Sequence, residues 1–167
     1  MVFTIKDLAH LISKRSFCIL ATQDKQGPHA VGVCYYAKDL ELFIPTSENT
    51  AKVRNIRRNS NVAIQIPVPW PLIPAPPRSI QYRGIAEILP IDDNEAQRVL
   101  SKSSYINRHV LRQLIENIDV QKWGESIWIR VVPTGRIETF MIGVPITVIF
   151  RSPEKAQSHF DVIKRSS

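Results

Sequence analysis

Residues 17–44 decide the fold. They open with Phe17-Cys18-Ile19-Leu20-Ala21-Thr22, turn at Asp24-Lys25-Gln26-Gly27 and run on from His29 to Tyr36. They turn again at Ala37-Lys38-Asp39 and finish with Leu40-Glu41-Leu42-Phe43-Ile44. Each apolar run is short, rich in Val, Ile, Phe and Tyr, and bounded by turn residues, which is strand composition. Three adjacent strands joined by tight turns predict an antiparallel meander.

Upstream, Thr4 with Asp7 three residues on sketches a capping pattern. Ile5, Leu8, Leu11 and Ile12 recur at helical spacing, so a short amphipathic helix is expected over 4–14. Downstream, residues 48–58 carry good helix formers without Gly or Pro, with Ser47 placed as N-cap. Asn61 to Ile66 returns to the strand pattern. Pro67 to Pro77 holds six of the twelve prolines. Proline lacks the N–H that a ladder needs, so a stiff extended loop is expected, with Trp70 and Leu72 turned inward as a wall beside a pocket. Ile80, Tyr82, Gly84, Ala86 and Ile88 then alternate with polar neighbours as a strand. Asp92-Asp93 begins a helical region to about Ile118. Strands follow at Ser126–Val132 and Arg136–Ile142, with a further one at Pro145–Phe150, and Pro153 opens a last short helix. The reading is a mainly β chain with inserted helices, one domain over 1–167, its antiparallel strands closing into a barrel.

The chain has 167 residues, 44% hydrophobic and 22% charged, which is ordinary globular composition and excludes a disordered chain. A net charge of +7 favours anionic partners. Two cysteines, Cys18 and Cys34, make neither a disulfide framework nor a multi-cysteine zinc site, so a cytoplasmic setting is expected. Charged residues interrupt the N-terminus, and Phe140–Phe150 is far short of the ~20 apolar residues of a membrane span, so neither a secretory signal nor a membrane segment is expected.

Chemistry concentrates at Ile44-Pro45-Thr46-Ser47-Glu48-Asn49-Thr50-Ala51-Lys52. A strand ends, hydroxyls gather, and a helix begins with a lysine in its first turn. Free N–H groups and the macrodipole favour an anion there, and Lys52 completes a phosphate cradle. The plainer reading is that Ser and Thr merely cap the helix. His10, His29, His109 and His159 lack ligand spacing, so no metal is expected. Arg54, Arg57 and Arg58 share a helical face, but no continuous basic stripe interleaves with aromatics, so nucleic acid is not expected as a partner.

Taken together, residues 17–66 resemble the pyridoxamine 5′-phosphate oxidase-like family of FMN-binding split barrels. The resemblance rests on the strand ending Leu20-Ala21-Thr22, the turn Gly27-Pro28-His29 and the strand Ala30–Tyr36. It continues in Thr46, Thr50 and Lys52, then Asn55-Ile56-Arg57-Arg58-Asn59 and Asn61-Val62-Ala63-Ile64. Downstream, Ile80–Glu87 resembles the family's next barrel strand, and Trp128–Pro133 with Ile137-Glu138 its closing hairpin. The resemblance implies a homodimer of six-stranded antiparallel split β-barrels with FMN at the subunit interface. It implies that Val31, Gly32, Val33 and Cys34 line the isoalloxazine. Thr46, Ser47, Thr50 and Lys52 would hold the 5′-phosphate, and Arg78 or Ser79 would reach the ring or ribityl chain. Trp70, Trp123 or Trp128 would approach from the partner.

Two departures separate this chain from the vitamin oxidases themselves. They carry Arg where this chain has Val31, and Arg-Lys where it has Ala51-Lys52. Their substrate-holding run, ending in an Arg-x-His, is replaced by Phe140-Met141-Ile142-Gly143-Val144-Pro145-Ile146. The expectation is a flavin-dependent oxidoreductase acting on a different small molecule. A deazaflavin-dependent reductase, whose anionic tail would suit Lys52, Arg54, Arg57 and Arg58, stays open, as does a non-catalytic flavin- or haem-binding protein.

Overall fold

The computed structural model describes residues 3–69, 78–103, 108–109, 113, 117 and 119–162. Helix α1 (Ile5–Ser13) begins where the Thr4/Asp7 spacing predicts. Asp7 N–H donates to Thr4 Oγ1 at 3.3 Å and Thr4 N–H donates to the Asp7 carboxylate at 2.8 Å, a complete capping box. Its apolar stripe buries Leu8 and Ile12.

Strands β1 (Phe17–Gln23) and β2 (Pro28–Cys34) form the expected hairpin, as do β3 (Tyr36–Lys38) and β4 (Glu41–Ser47). The three-strand meander does not form. The run His29–Tyr36 breaks at Tyr35, and β2 and β3 lie at opposite edges of one antiparallel sheet. After β4 come α2 (Ala51–Arg58), β5 (Asn61–Val68), β6 (Arg78–Pro90), α3 (Asn94–Ser101), α4 (Val120–Trp123) and β7 (Ser126–Phe140). A helix α5 (Ile146–Arg151), a 3-10 turn at Pro153–Ala156 and β8 (Gln157–Asp161) complete the described chain. The sheet runs β2-β1-β5-β6-β7-β4-β3, with β8 on the far half of β7.

That order forces the sheet to curl. A flat seven-strand path would hold its edges roughly 29 Å apart at ~4.8 Å per strand. Yet the edges are joined through Tyr35 alone, which limits the Cα separation of Cys34 and Tyr36 to about 7.6 Å. The result is a split antiparallel barrel, with eight strands rather than the six expected. Tyr35 is buried at this seam, and its hydroxyl donates to Ile12 O at 2.9 Å, tying α1 across the gap.

Inward residues alternate as a half-buried strand requires. Val62, Ile64, Ile66 and Val68 of β5 meet Ile80, Tyr82 and Ala86 of β6, with Leu42 and Ile44 of β4 and Ile127, Ile129 and Val131 of β7. On the other side of β4, Phe43 and Trp128 pack with Ala96 and Val99 of α3. Arg130 reinforces that layer through Glu41 at 2.8 Å and Glu95 at 3.4 Å.

Four further expectations are corrected. Ser126–Val132 and Arg136–Ile142 are one continuous strand, bent where Gly135 takes φ 70° and the β6 register shifts. Pro145–Phe150 enters a helix rather than a strand. The last short helix expected to open at Pro153 is a single 3-10 turn ending at Ala156, after which residues 157–161 pair with β7 as β8. Pro67 belongs to β5 and not to the loop, at a level where the register with β1 has already ended after Gln65. The described part of the expected 92–118 helical region is helix only over α3 and isolated residues. Trp70, Leu72 and the rest of 70–77 lie outside the described residues.

Candidate cofactor site

The end of β4 delivers Thr46 and Ser47 to one rim of the barrel, where Thr46 pairs with Ile127 and Ser47 with Ser126. The linker that follows is pinned rather than loose. Glu48 N–H donates to Glu125 O and Asn49 N–H to Trp123 O, each at 2.9 Å. Helix α2 then starts one turn later than the sequence suggests: Thr50 is the N-cap, and Ser47 is a buried strand residue at 7% exposure.

Thr50 does not cap with its side chain. Its hydroxyl instead donates to Ser47 O at 3.0 Å. The first-turn N–H groups of α2 therefore have no side-chain cap acceptor, and helix geometry gives them no acceptor within the helix. Lys52 stands in the same turn, half-buried, with no hydrogen bond or ion pair among the described residues. Burial holds its ammonium below the ordinary lysine range. A desolvated cation beside open N–H donors suits an anion with several oxygens. The rest of the basic face is more committed: Arg57 pairs with Glu48 at 2.5 Å and Arg54 donates to Asn49 O at 2.7 Å. At the inner side of α2, Asn55 Nδ2 donates to Thr22 Oγ1 at 3.0 Å, anchoring the helix to the Thr22 end of β1.

The four β2 residues divide between two faces. Val33 is buried and Val31 packs on the core, whereas Gly32 and Cys34 point outward. Gly32 lies beneath the ring of Phe17: a Cβ there would meet that ring at 2.9 Å. Phe17, at 47% exposure, is thus a candidate contact that sequence reading missed, because only the β1–β2 register places it over Gly32. Trp128 is corrected outright. It is fully buried, its indole N–H donates to Ile91 O at 3.0 Å, and Tyr36 packs edge-on at 6.0 Å, so its ring is a core element. Trp123 is exposed, with Lys122 over its ring at 5.1 Å.

Arg78 and Ser79 are not brought to the cradle within one chain. Arg78 pairs with Val68, three residues beyond the Gln65 that faces Ile19, which puts it level with the start of β1. Helix α2 is fastened near Thr22, about 20 Å away along the strands at ~3.3 Å per residue. Between the two ends, the outer face forms an open trough of about 830 Å³ floored by Ile19, Ala21, Ala30 and Ala63 and rimmed by Gln65 and Gln81. Among the described residues, no three His, Cys, Asp or Glu side chains gather as metal ligands, and no helix is long and apolar enough to cross a membrane.

The sequence matches the model of the pyridoxamine 5′-phosphate oxidase family over residues 5–123, and the chain belongs to that family. Solved structures show the same split-barrel fold. The haem storage protein HutZ from Vibrio cholerae superposes with a TM-score of 0.62 at 16% identity, covering 78% of this chain and 90% of that one. An FAD-binding protein from Mesorhizobium loti gives 0.60 at 17% identity, covering 83% and 93%. General stress protein 26 from Bacillus anthracis gives 0.58 at 17% identity, covering 81% and 92%. A search of curated proteins finds no match.

Proposed function

We propose that this chain is an FMN-binding flavoprotein, a homodimer acting as an oxidoreductase on a small molecule. One observation carries the reading. Lys52 is a half-buried ammonium without a described counter-ion, set in the first turn of a helix whose N-cap side chain leaves the N–H groups open. A terminal phosphate supplies the missing charge and the acceptors together. Lys52, the first-turn N–H groups and Thr46 would hold that phosphate, while Thr50 would have to turn its hydroxyl away from Ser47 O to join them. Ser47, being buried, would support rather than touch.

The isoalloxazine would lie against the outward side of β2, at Gly32 and Cys34, with the Phe17 ring beside it, and Val31 and Val33 would shape that strand from behind. Arg78 and Ser79 would reach it from a second copy, since their own chain holds them at the other end of the sheet. The trough, floored by Ala21, Ala30 and Ala63 and rimmed by Gln65, Gln81, Arg83 and Arg136, with Phe17 and Ile85 exposed on the surface, favours close approach of that copy. When bound, flavin supplies hydride or electron transfer, and the protein's part is binding and orientation. The commitment of Arg54 and Arg57 within the chain favours FMN over a deazaflavin with a polyanionic tail.

The visible spectrum of the purified protein, after dialysis against FMN, tests this. The two-banded spectrum of oxidised flavin at one FMN per chain is expected. A Soret band, or a protein that stays colourless, would contradict it.

A further inference from the structure

Asn55 sits on the inner side of α2 at 3% exposure, between Val53 and Ile56 that face the core. Asn is a poor helix former and costly to bury, so packing alone gives no reason for it there. Its amide makes a buried, directed bond: Asn55 Nδ2 donates to Thr22 Oγ1 at 3.0 Å, and Thr22 is itself buried. The Thr22 hydroxyl continues the chain, donating to His29 O at 3.4 Å across the β1–β2 pairing. Helix α2 is thereby tied to both strands of the hairpin. The described side-chain bonds of Arg54 to Asn49 O and of Arg57 to Glu48 are exposed and reach only the linker before the helix. Val53 and Ile56 hold α2 down, but apolar contact is non-directional and tolerates sliding and rotation. The Asn55 bond restrains both.

The two ends of this link meet the two ends of the flavin site. Lys52 precedes Asn55 by three residues, so the pair are neighbours on the helix surface, and the bond made by Asn55 sets where the Lys52 turn lies. His29 precedes Gly32 by three residues, about 10 Å along β2 at ~3.3 Å per residue. We propose that Asn55 and Thr22 are positioning residues that fix the span between the phosphate cradle and the ring-bearing face of β2, and so select a phosphorylated flavin over riboflavin. Lys52 acts here as the phosphate ligand already proposed, and the role of Asn55 and Thr22 rests on that reading. Groups that bind a ligand at two ends must be held within about 0.5 Å, which a supporting hydrogen bond can do and loose apolar contact cannot.

Parallel titrations of FMN and riboflavin, read by flavin fluorescence, test this. Thr22→Val combined with Asn55→Leu replaces both partners by apolar side chains of similar shape and leaves neither bond partner unpaired, so the fold is retained, as a thermal melt checks. FMN affinity should fall at least tenfold in this double variant, with riboflavin affinity unchanged. Asn55→Gln, which keeps the amide but moves it by one methylene, should also lower the preference for FMN, and Thr22→Ser, which keeps the hydroxyl, should preserve it. Adding Lys52→Ala to the double variant should cost far less than the product of the separate losses, because all three act on one turn. A preference for FMN untouched in both the double variant and Asn55→Gln, equal losses for the two flavins, or losses that simply multiply with that of Lys52→Ala would overturn the proposal while leaving the cradle in place. Wild-type protein that binds FMN no better than riboflavin would overturn the cradle reading itself, and the positioning role with it.

Discussion

Lys52 sets two opposing demands on the flavin-free protein. Burying its ammonium depresses the pKa, so the folded value lies below the unfolded one. The charge is then a cost to folding below the folded pKa, and the cost fades as pH rises through the interval between the two values. Lys52→Met should therefore stabilise the flavin-free protein at neutral pH, with the gain shrinking on the alkaline side, as urea unfolding across pH would show. A bound phosphate needs the ammonium, so FMN affinity should fall as pH rises through the depressed lysine pKa, and Lys52→Arg should move that fall upward. Titrating FMN at several pH values checks both arms. The cysteines offer a second residue-level contrast. Burial pushes the Cys18 thiol up to about 12, while Cys34 is exposed on the face of β2. One fast-reacting thiol per chain is expected with a disulfide reagent at mildly alkaline pH, and Cys34→Ser should remove it.

At the scale of elements, Tyr35 is the joint that turns a sheet into a barrel. Tyr35→Phe removes the hydroxyl bond to Ile12 O, which keeps the Arg15 N–H as a donor at 3.0 Å, so the cost is about 0.5–1.5 kcal/mol. Urea unfolding should show that loss with little change in slope, whereas an unchanged midpoint would mean the seam does not depend on this bond. The break at Tyr35 was not legible in the sequence, because apolar character runs without interruption from Val31 to Ala37. Only the sheet order reveals that two strands meet there. The capping box of α1, the β1–β2 hairpin and the inward alternation of β6 were legible, since each is written in residues a few positions apart. Strand β8 was hidden for the opposite reason: Gln157-Ser158-His159 carries no strand signal of its own and is recruited by the free edge of β7. Residues 146–150 misled through their β-branched composition, which tertiary context overrides in favour of α5.

For the whole molecule, the grouping of the proposed cradle residues was legible and the placing of the other candidates was not. Thr46, Thr50 and Lys52 lie within one turn of chain, so spacing alone groups them. Trp128 could be placed only by its neighbours Ile91, Ala96 and Val99, roughly thirty to forty positions away, and these put it in the core. Arg78 and Ser79 belong with the cradle only if two copies combine. A homodimer at micromolar concentration is therefore expected in sedimentation, and a monomer holding one FMN per chain would contradict it. If the 46–52 turn holds a phosphate, parallel titration of FMN and riboflavin against wild type and Lys52→Ala will separate the two ligands. Lys52→Ala should weaken FMN by about 1.5–3 kcal/mol, the worth of a charge-assisted hydrogen bond, and leave the weaker riboflavin binding unchanged. Equal losses for both ligands, or no loss for either, would contradict it.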